Sequence, residues 1–232
     1  WVFPRPTQDQ RFSKIWTNVE SLRSFLYGAR FERNLGMEGY SHVEVHDVDL
    51  AIADHMSRDV LQYLIDGGRV WIMAKSQMQY DEIDTRYLPI FWNYLWFPEQ
   101  SGTTMGMIIH PHSLFDRFPH DGRSDWHWYH LVDRTVALGL DSIPKVMPIV
   151  EVIDNFNRAK RLAYAFEVKV GKGRLFVSSF RLSDVNVLKK PEGSYLMQET
   201  VNYLLSDRFD PQTEMNVGEV LSMFKLRRFF MV

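Results

Sequence analysis

Residues 48–74 read VDLAIADHMSRDVLQYLIDGGRVWIMA, and this stretch decides the fold class of the 232-residue chain. The apolar runs at its two ends predict β-strands. Between them, Ser57 is a suitable N-cap for a helix, which Gly67 and Gly68 would end. Strand, helix and strand form a βαβ unit, in which we expect parallel pairing and a right-handed crossover.

The carboxyl ends of these two strands are the first candidate site, because ligands of open α/β sheets bind beyond such ends. Asp54 and His55 follow the first strand, and Lys75, Ser76 and Gln77 follow the second. A nucleophile at Ser76 would make the chain a stand-alone serine hydrolase. The surrounding AKSQM lacks the flanking glycines with which a nucleophile elbow exposes its oxygen, so capping and loop roles are favoured.

The remaining patterns extend the α/β assignment. Apolar residues at helical spacing over 13–27 predict a helix that Gly28 ends, and HVEVHD alternates like a half-buried strand. The clearest hairpin signal is LAYAFEVKV, a Gly-containing turn at 171–173, and RLFVSSF. We expect this hairpin at one edge of a mostly parallel sheet. Helical patterns follow over 194–207 and near 217–225.

Residues 78–104 predict an aromatic-rich insertion packed over one end of the sheet, because prolines interrupt any regular pattern there. Its tryptophans, Trp92 and Trp96, form a satellite core in the favoured interpretation and a rim for docking another domain in the alternative. Residues 207–232 predict a C-terminal extension that ends in the basic, apolar patch KLRRFFMV. All of these patterns fit a single α/β domain over 1–232.

Residues 125–130 read DWHWYH and concentrate aromatics and histidines between a Gly-containing loop and an apolar segment. One interpretation is the start of an amphipathic helix, with Asp125 near the N-cap and the aromatics in the core. The other is a surface platform for a flat sugar face, with hydrogen bonds from His127 and His130. The sequence leaves both interpretations open.

The HPH motif at 110–112 raises the question of a metal. His110 and His112 are two residues apart, so in an extended segment both side chains could approach one ion. No acidic or thiol partner follows at a recognisable ligand spacing, so a solvated or capping role is the default. We therefore expect neither a metal nor a cofactor. Pro111 and Ser113 suit a loop that leads into a short helix.

Composition excludes several classes of function. The chain has no cysteine, which rules out a disulfide framework, a thiolate zinc site and a cysteine nucleophile. A net charge of -2 offers no basic field for nucleic acid. No apolar run reaches the roughly 18–20 residues that span a bilayer. Because the chain opens on WVFPRP without methionine, we expect a fragment of a larger protein.

A family resemblance covers roughly residues 85–210. It rests on four segments, YLPIFWNYLWFPEQSGTTMGMII, HPHSLFDRFPHDGRSDWHWYHLV, PIVEVIDNFNRAKRLAYAFEVKVGKGRLFVSSF and EGSYLMQETVNYLLSDRF. They resemble the C-terminal region of large bacterial glycoside hydrolases of family 2, the β-galactosidase-like group. In that region a glutamine-amidotransferase-like α/β domain follows the sugar-binding and barrel domains. The likeness extends over whole segments and includes no short catalytic signature.

The resemblance implies a flavodoxin-like or class I glutamine-amidotransferase-like three-layer sandwich, similar to a β-galactosidase trimerisation domain. The catalytic carboxylates of such hydrolases lie on a barrel that this chain has no room for. Amidotransferase chemistry needs an activated cysteine, which is missing. The expected function is a non-catalytic accessory domain that packs on other domains of a periplasmic or extracellular hydrolase, makes homo-oligomer contacts and borders the sugar cleft.

The alternative function is a carbohydrate-binding module in which surface tryptophans stack on sugar rings. Histidines beside them would supply hydrogen bonds to the sugar hydroxyls. Neither nucleic acid nor a membrane is an expected partner. The candidate binding residues are Trp92, Trp96, Trp126, His127, Trp128 and His130.

Overall fold

The computed structural model describes residues 2–3, 13–28, 45–75, 81–87 and 104–225. Ten strands in these ranges join one sheet. Their bounds are β1 Ile15–Thr17, β2 Leu50–Ala53, β3 Arg69–Met73, β4 Glu82–Asp84, β5 Gly106–Ile109, β6 Val136–Gly139, β7 Pro148–Ile153, β8 Leu162–Val170, β9 Gly173–Ser178 and β10 Glu214–Met215. The α-helices of the same ranges are α1 Glu20–Gly28, α2 Arg58–Ile65, α3 Tyr129–Val132, α4 Val185–Leu188, α5 Pro191–Leu205 and α6 Val217–Met223.

The βαβ unit predicted from the sequence consists of β2, α2 and β3. The two strands pair in parallel, with Ala51 opposite Val70, so that prediction is confirmed. α2 begins after Ser57, whose side chain accepts a hydrogen bond from the Val60 amide at 3.2 Å. After the helix, Gly67 has a φ of +121°, which favours glycine because residues with a Cβ rarely adopt it.

β8 is the central strand of the sheet. The predicted hairpin is confirmed, since β8 and β9 are antiparallel and Gly171 turns between them with a φ of +60°. Its predicted place at the edge is wrong, because β9 also pairs with β3 while β6, β7 and β10 pair with β8. Seven of the nine β8 residues are buried, as expected for a strand covered on both faces.

The sheet is mixed rather than mostly parallel. The described strands make four parallel pairings and five antiparallel ones. The parallel part runs in the order β1, β2, β3 and β9, and the antiparallel part begins where β9 meets β8. The α/β class is therefore confirmed in a form that combines both kinds of strand pairing.

Helices cover both faces of this sheet. Alternate side chains of a strand point to opposite faces. Ile52 accordingly lies in one apolar cluster with residues of α1 and α5, whereas Ala53 lies in a second cluster with residues of α2 and α6. In the same way, Trp71 lies in the first cluster and Val70 in the second. Burial of both faces explains why the strands are almost continuously apolar.

The helix predicted over 13–27 is wrong over residues 13–19. α1 begins only at Glu20, because Ile15 and its neighbours form β1 in parallel with β2. Ile15 and Thr17 are β-branched and buried, which favours a strand over a helix. The Thr17 hydroxyl then accepts a hydrogen bond from the Val19 amide at 3.0 Å, at the junction between strand and helix.

The other sequence predictions have mixed outcomes. HVEVHD was expected to form a strand. Its described residues, 45–47, form a turn and a bend, and another bend follows at Asp49, so these residues form no strand. α5 confirms the helix predicted over 194–207, and α6 confirms the one near the C-terminus. Most of the predicted insertion at 78–104 lies outside the described residues, although β4 falls within it and pairs with β6. Residues 226–232 of the predicted extension also lie outside.

Candidate functional site

The DWHWYH segment begins a helix, as the first interpretation predicts. Oδ1 of Asp125 accepts a hydrogen bond from the Trp126 amide at 2.6 Å. A 3-10 helix follows over Trp126–Trp128 and continues directly into α3. Because a 3-10 helix has about three residues per turn, Trp126 and Trp128 point in different directions.

His127 and Trp128 belong to the core. Trp128 is fully buried, and its ring centroid lies 5.1 Å from that of Phe118 and 5.7 Å from that of Phe115. His127 is 8% exposed, and its Nε2–H donates to the Pro119 carbonyl at 2.8 Å. Burial lowers the pKa of His127, partly offset by this hydrogen bond. Neither ring is open enough to serve as a platform for a sugar.

The exposed side of the segment forms an aromatic patch, which consists of Tyr87, Trp126 and Tyr129. Trp126 is 70% exposed and Tyr129 37%. The ring centroid of Tyr87 lies 6.0 Å from that of Trp126 and 5.5 Å from that of Tyr129. Burial raises the pKa of Tyr87 and the charge of Asp125 raises it further, so the Tyr87 hydroxyl remains a donor at neutral pH.

His130 lies beside the aromatic patch, with its ring centroid 5.1 Å from that of Tyr129. Its Nε2 is 3.9 Å from a carboxylate oxygen of Glu192, and its side chain is 39% exposed. Tyr87 and Tyr129 together thus connect two of the predicted binding residues, Trp126 and His130. The analysis of the sequence missed Tyr87, whose signal is its place at the start of the resembling segment YLPIF. Trp92 and Trp96 lie outside the described residues.

A polar cluster covers the carboxyl ends of the first three parallel strands. It consists of Asn18 after β1, Asp54 and His55 after β2, and Lys75 after β3. Oδ1 of Asp54 accepts from Nδ1 of His55 at 2.7 Å and from the Asn18 amide at 3.0 Å. Lys75 Nζ lies 3.6 Å from the other Asp54 oxygen. Asn18 was not predicted to belong to this cluster, because β1 was expected to be helical.

The electrostatics of this cluster stabilise an ionised Asp54. Partial burial alone would raise its pKa, but the hydrogen bond from His55 and the charge of Lys75 outweigh burial and lower it. The backbone N–H of Asp54 also donates to Oδ1 of Asn18 at 3.1 Å. The polar groups that follow β1, β2 and β3 therefore satisfy one another's hydrogen bonds and charges. Ser76 and Gln77, the other candidates at this edge, lie outside the described residues.

The two histidines of the HPH motif bind different carboxylates. Nε2–H of His110 donates to Glu151 at 2.9 Å. His112 caps the 3-10 helix over 113–115, where its Nδ1 accepts the Leu114 amide at 3.2 Å, and its Nε2 lies 3.5 Å from Glu167. The capping role expected for this motif is confirmed for His112. Among the residues that the structure covers, no group of three or more potential ligands is placed to hold a metal ion.

Glu167 forms the centre of a network that sequence reasoning missed. Its second carboxylate oxygen accepts a hydrogen bond from the Tyr203 hydroxyl at 2.7 Å. The pKa of Tyr203 is raised, first by burial and then by the negative charge of Glu167. Through these contacts Glu167 connects β8 to α5 and to the 3-10 helix over 113–115.

These features define a class of mixed α/β domain with a polar cluster at its strand ends and an aromatic patch on one connection. The described helices include none with the length and apolar character needed to cross a membrane. Residues 51–225 match a family described as a domain of unknown function, DUF8487, and the chain belongs to that family. No curated protein matches the chain. The matched range includes the polar residues Asp54, His55 and Lys75 as well as DWHWYH.

Proposed function

We propose that the chain is a non-catalytic accessory domain of a β-galactosidase-like glycoside hydrolase of family 2, with a flavodoxin-like, glutamine-amidotransferase-like fold. The observation that carries this proposal is the strand edge where an amidotransferase would bind its substrate. There Asp54 is hydrogen-bonded to His55 and Asn18, and the chain has no cysteine that could act as a nucleophile. The resemblance over residues 85–210, which lies within the family match, supports the hydrolase context.

In this proposal the domain contributes contacts rather than chemistry. It would pack on the sugar-binding and barrel domains of a periplasmic or extracellular parent enzyme, or join subunits of an oligomer. The aromatic patch is suited to such contacts, because exposed aromatic side chains are enriched at protein interfaces. Residues of the patch could then border the sugar cleft of the assembled enzyme.

The test of the accessory role compares three proteins: the full-length parent, the parent without residues 1–232, and this chain alone. We expect the full-length parent to hydrolyse aryl β-galactosides and the isolated chain to show no turnover. Removal of the domain should change the oligomeric state or lower the melting temperature. Enzyme-like turnover by the isolated chain would overturn the proposal, as would a parent without a glycosidase barrel.

A second candidate function is direct carbohydrate binding at the aromatic patch. The specific observation is the exposure of Trp126, whose ring lies beside Tyr87. Tyr87 in turn contacts Tyr129, and Tyr129 contacts the ring of His130. A flat apolar surface with polar groups at its rim is typical of sites that bind the face of a sugar.

Calorimetric titration with galactosides and plant-wall oligosaccharides tests the second candidate. Trp126→Ala should abolish the heat of binding. Phe156→Ala is a matched control, because Phe156 is 65% exposed and lies outside the patch. Absence of heat with every oligosaccharide, or equal binding by both variants, would exclude sugar binding at this patch.

A further inference from the structure

The loop at 111–120 forms an open surface pocket of about 650 Å³ that neither proposed function uses. This volume falls within the range of about 300–1,000 Å³ that is usual for small-molecule sites. All of the residues that line it belong to this one loop. The lining residues that matter for recognition are Pro111, Asp116, Arg117, Pro119 and His120, above the buried rings of Phe115 and Phe118.

The pocket is preformed by contacts behind its walls. Phe115 and Phe118 are each at most 2% exposed, and both rings rest against the fully buried Trp128. The Tyr195 hydroxyl of α5 donates to the Arg117 carbonyl at 3.3 Å. The loop is therefore held from two sides, and a ligand would not have to order it on binding.

The polar groups of the pocket offer both donors and an acceptor. Nδ1 of His120 accepts the Gly122 amide at 3.1 Å, so Nε2 carries the proton and acts as a donor. Burial lowers the pKa of His120, with the charge of Asp121 opposing, so the ring is neutral at pH 7. Asp116 supplies carboxylate acceptors and Arg117 supplies guanidinium donors at the same loop.

The charges at this pocket are balanced by partners within the protein. Asp116 pairs with Arg208 at 3.0 Å, and Arg117 lies 3.7 Å from the buried carboxylate of Glu199. His120 adds no charge at neutral pH. An ionic ligand would therefore find no unbalanced counter-ion, whereas a neutral ligand with hydroxyl groups could bond to donors and acceptors at once.

We propose that this pocket binds a neutral, hydroxylated ring, the end residue of an oligosaccharide. Pro111 and Pro119 provide apolar surface for the C–H face of the ring, and His120, Arg117 and Asp116 provide partners for its hydroxyl groups. The ligand class follows from the lining, and the inference rests on the proposed function only for the origin of the sugar. The site is distinct from the aromatic patch.

Saturation-transfer NMR on this chain tests the ligand class. The panel contains the neutral sugars galactose, glucose, mannose and xylose, with glucuronic acid and galactosamine as charged comparisons. At least one neutral sugar should show transfer, and the charged sugars should show less. Stronger transfer to glucuronic acid or galactosamine, or none to any neutral sugar, overturns the proposal.

Two variants locate the binding. Asp116→Ala removes an exposed acceptor and should weaken binding about tenfold, since hydrogen bonds to charged groups are the stronger kind. His120→Asn keeps an acceptor for the Gly122 amide but removes the Nε2 donor, so it should also weaken binding. The matched control is Asp210→Ala, which breaks a surface ion pair of the same 3.0 Å length with Lys169.

The outcomes separate this site from the proposed functions. Trp126→Ala should leave binding at the pocket unchanged while it removes any binding at the aromatic patch. Wild-type affinity in both Asp116→Ala and His120→Asn would place the sugar elsewhere and refute the pocket. Failure of the pocket leaves the comparison of the full-length parent with its shortened form unaffected, so that the accessory role stands or falls on its own test.

Discussion

The neighbouring tryptophans of DWHWYH provide the sharpest test of the structure, because alanine substitutions two residues apart should differ greatly in their effect on the free energy of unfolding. Trp128 is fully buried, and its ring contacts Phe115, Phe118 and Phe180 at centroid distances of 5.7, 5.1 and 5.9 Å. Trp128→Ala should therefore lower the free energy of unfolding by about 3–5 kcal/mol, the usual cost of a large aromatic deletion in a core. Trp126→Ala should change it by no more than about 0.5 kcal/mol, because that ring is 70% exposed.

Trp128→Phe refines this prediction. The indole Nε1 of Trp128 has no hydrogen-bond partner among the described residues. Its removal relieves an unsatisfied buried donor, which offsets part of the packing loss, so this variant should cost less than about 2 kcal/mol. Urea denaturation followed by far-ultraviolet circular dichroism measures all three variants. Equal effects of the two alanine substitutions would refute the placement of the segment.

Three further predictions concern the interior of the domain. Tyr203→Phe removes the hydrogen bond to Glu167 and should lower the free energy of unfolding, measured by urea denaturation, by about 1.5–3 kcal/mol. An unchanged midpoint would show that this hydrogen bond does not stabilise the fold. Because burial lowers the pKa of His127 in the folded chain, the unfolded chain binds this proton more tightly, and stability should fall as the pH drops from 7 through about 6.5. NMR titration of the His127 ring should give a pKa below 6.5, and a higher value would contradict its burial. Gly173→Ala would place a Cβ 1.9 Å from the Leu64 carbonyl oxygen, so it should lower the free energy of unfolding by at least about 2 kcal/mol. A melting temperature equal to that of the native protein would exclude so close an approach of α2 and the hairpin.

Local patterns predicted the elements whose signals are complete within a few residues. The strand, cap, helix and glycines of β2, α2 and β3 are all contiguous, and so are the strands and turn of β8 and β9. β1 was missed because Ile15 and Trp16 also suit a helix, and only their pairing with Leu50 and Ala51 makes them a strand. Pairing partners far along the chain are not visible in a local window.

The position of the hairpin shows the same limit. LAYAFEVKV was expected at an edge, although its run of five apolar residues already fits a strand buried on both faces. What the pattern could not show is which strands occupy the two sides of β8. These partners come from widely separated parts of the chain, among them β6, β7 and β10.

The two interpretations of DWHWYH were posed as alternatives. The structure confirms the helix start and buries Trp128, and it leaves Trp126 exposed. In any helix, residues at i and i+2 point away from each other. A helix start at Asp125 therefore requires that one tryptophan face the core and the other face solvent. The six candidate binding residues were grouped by type, whereas the geometry of a helix would have divided Trp126 from Trp128 at once.

The connection between β5 and β6 is the part of the chain on which ligand binding is best sought. It runs over 110–135, longer than the roughly 2–6 residues that usually join such elements, and it contains two 3-10 helices and α3. It contains the pocket loop, the core anchor Trp128 and the exposed Trp126. Loops that carry binding residues work best when a rigid scaffold positions them. Trp128 provides that anchor for both surfaces, so its loss should weaken the sugar binding proposed for the pocket and for the patch together, although it would touch no ligand.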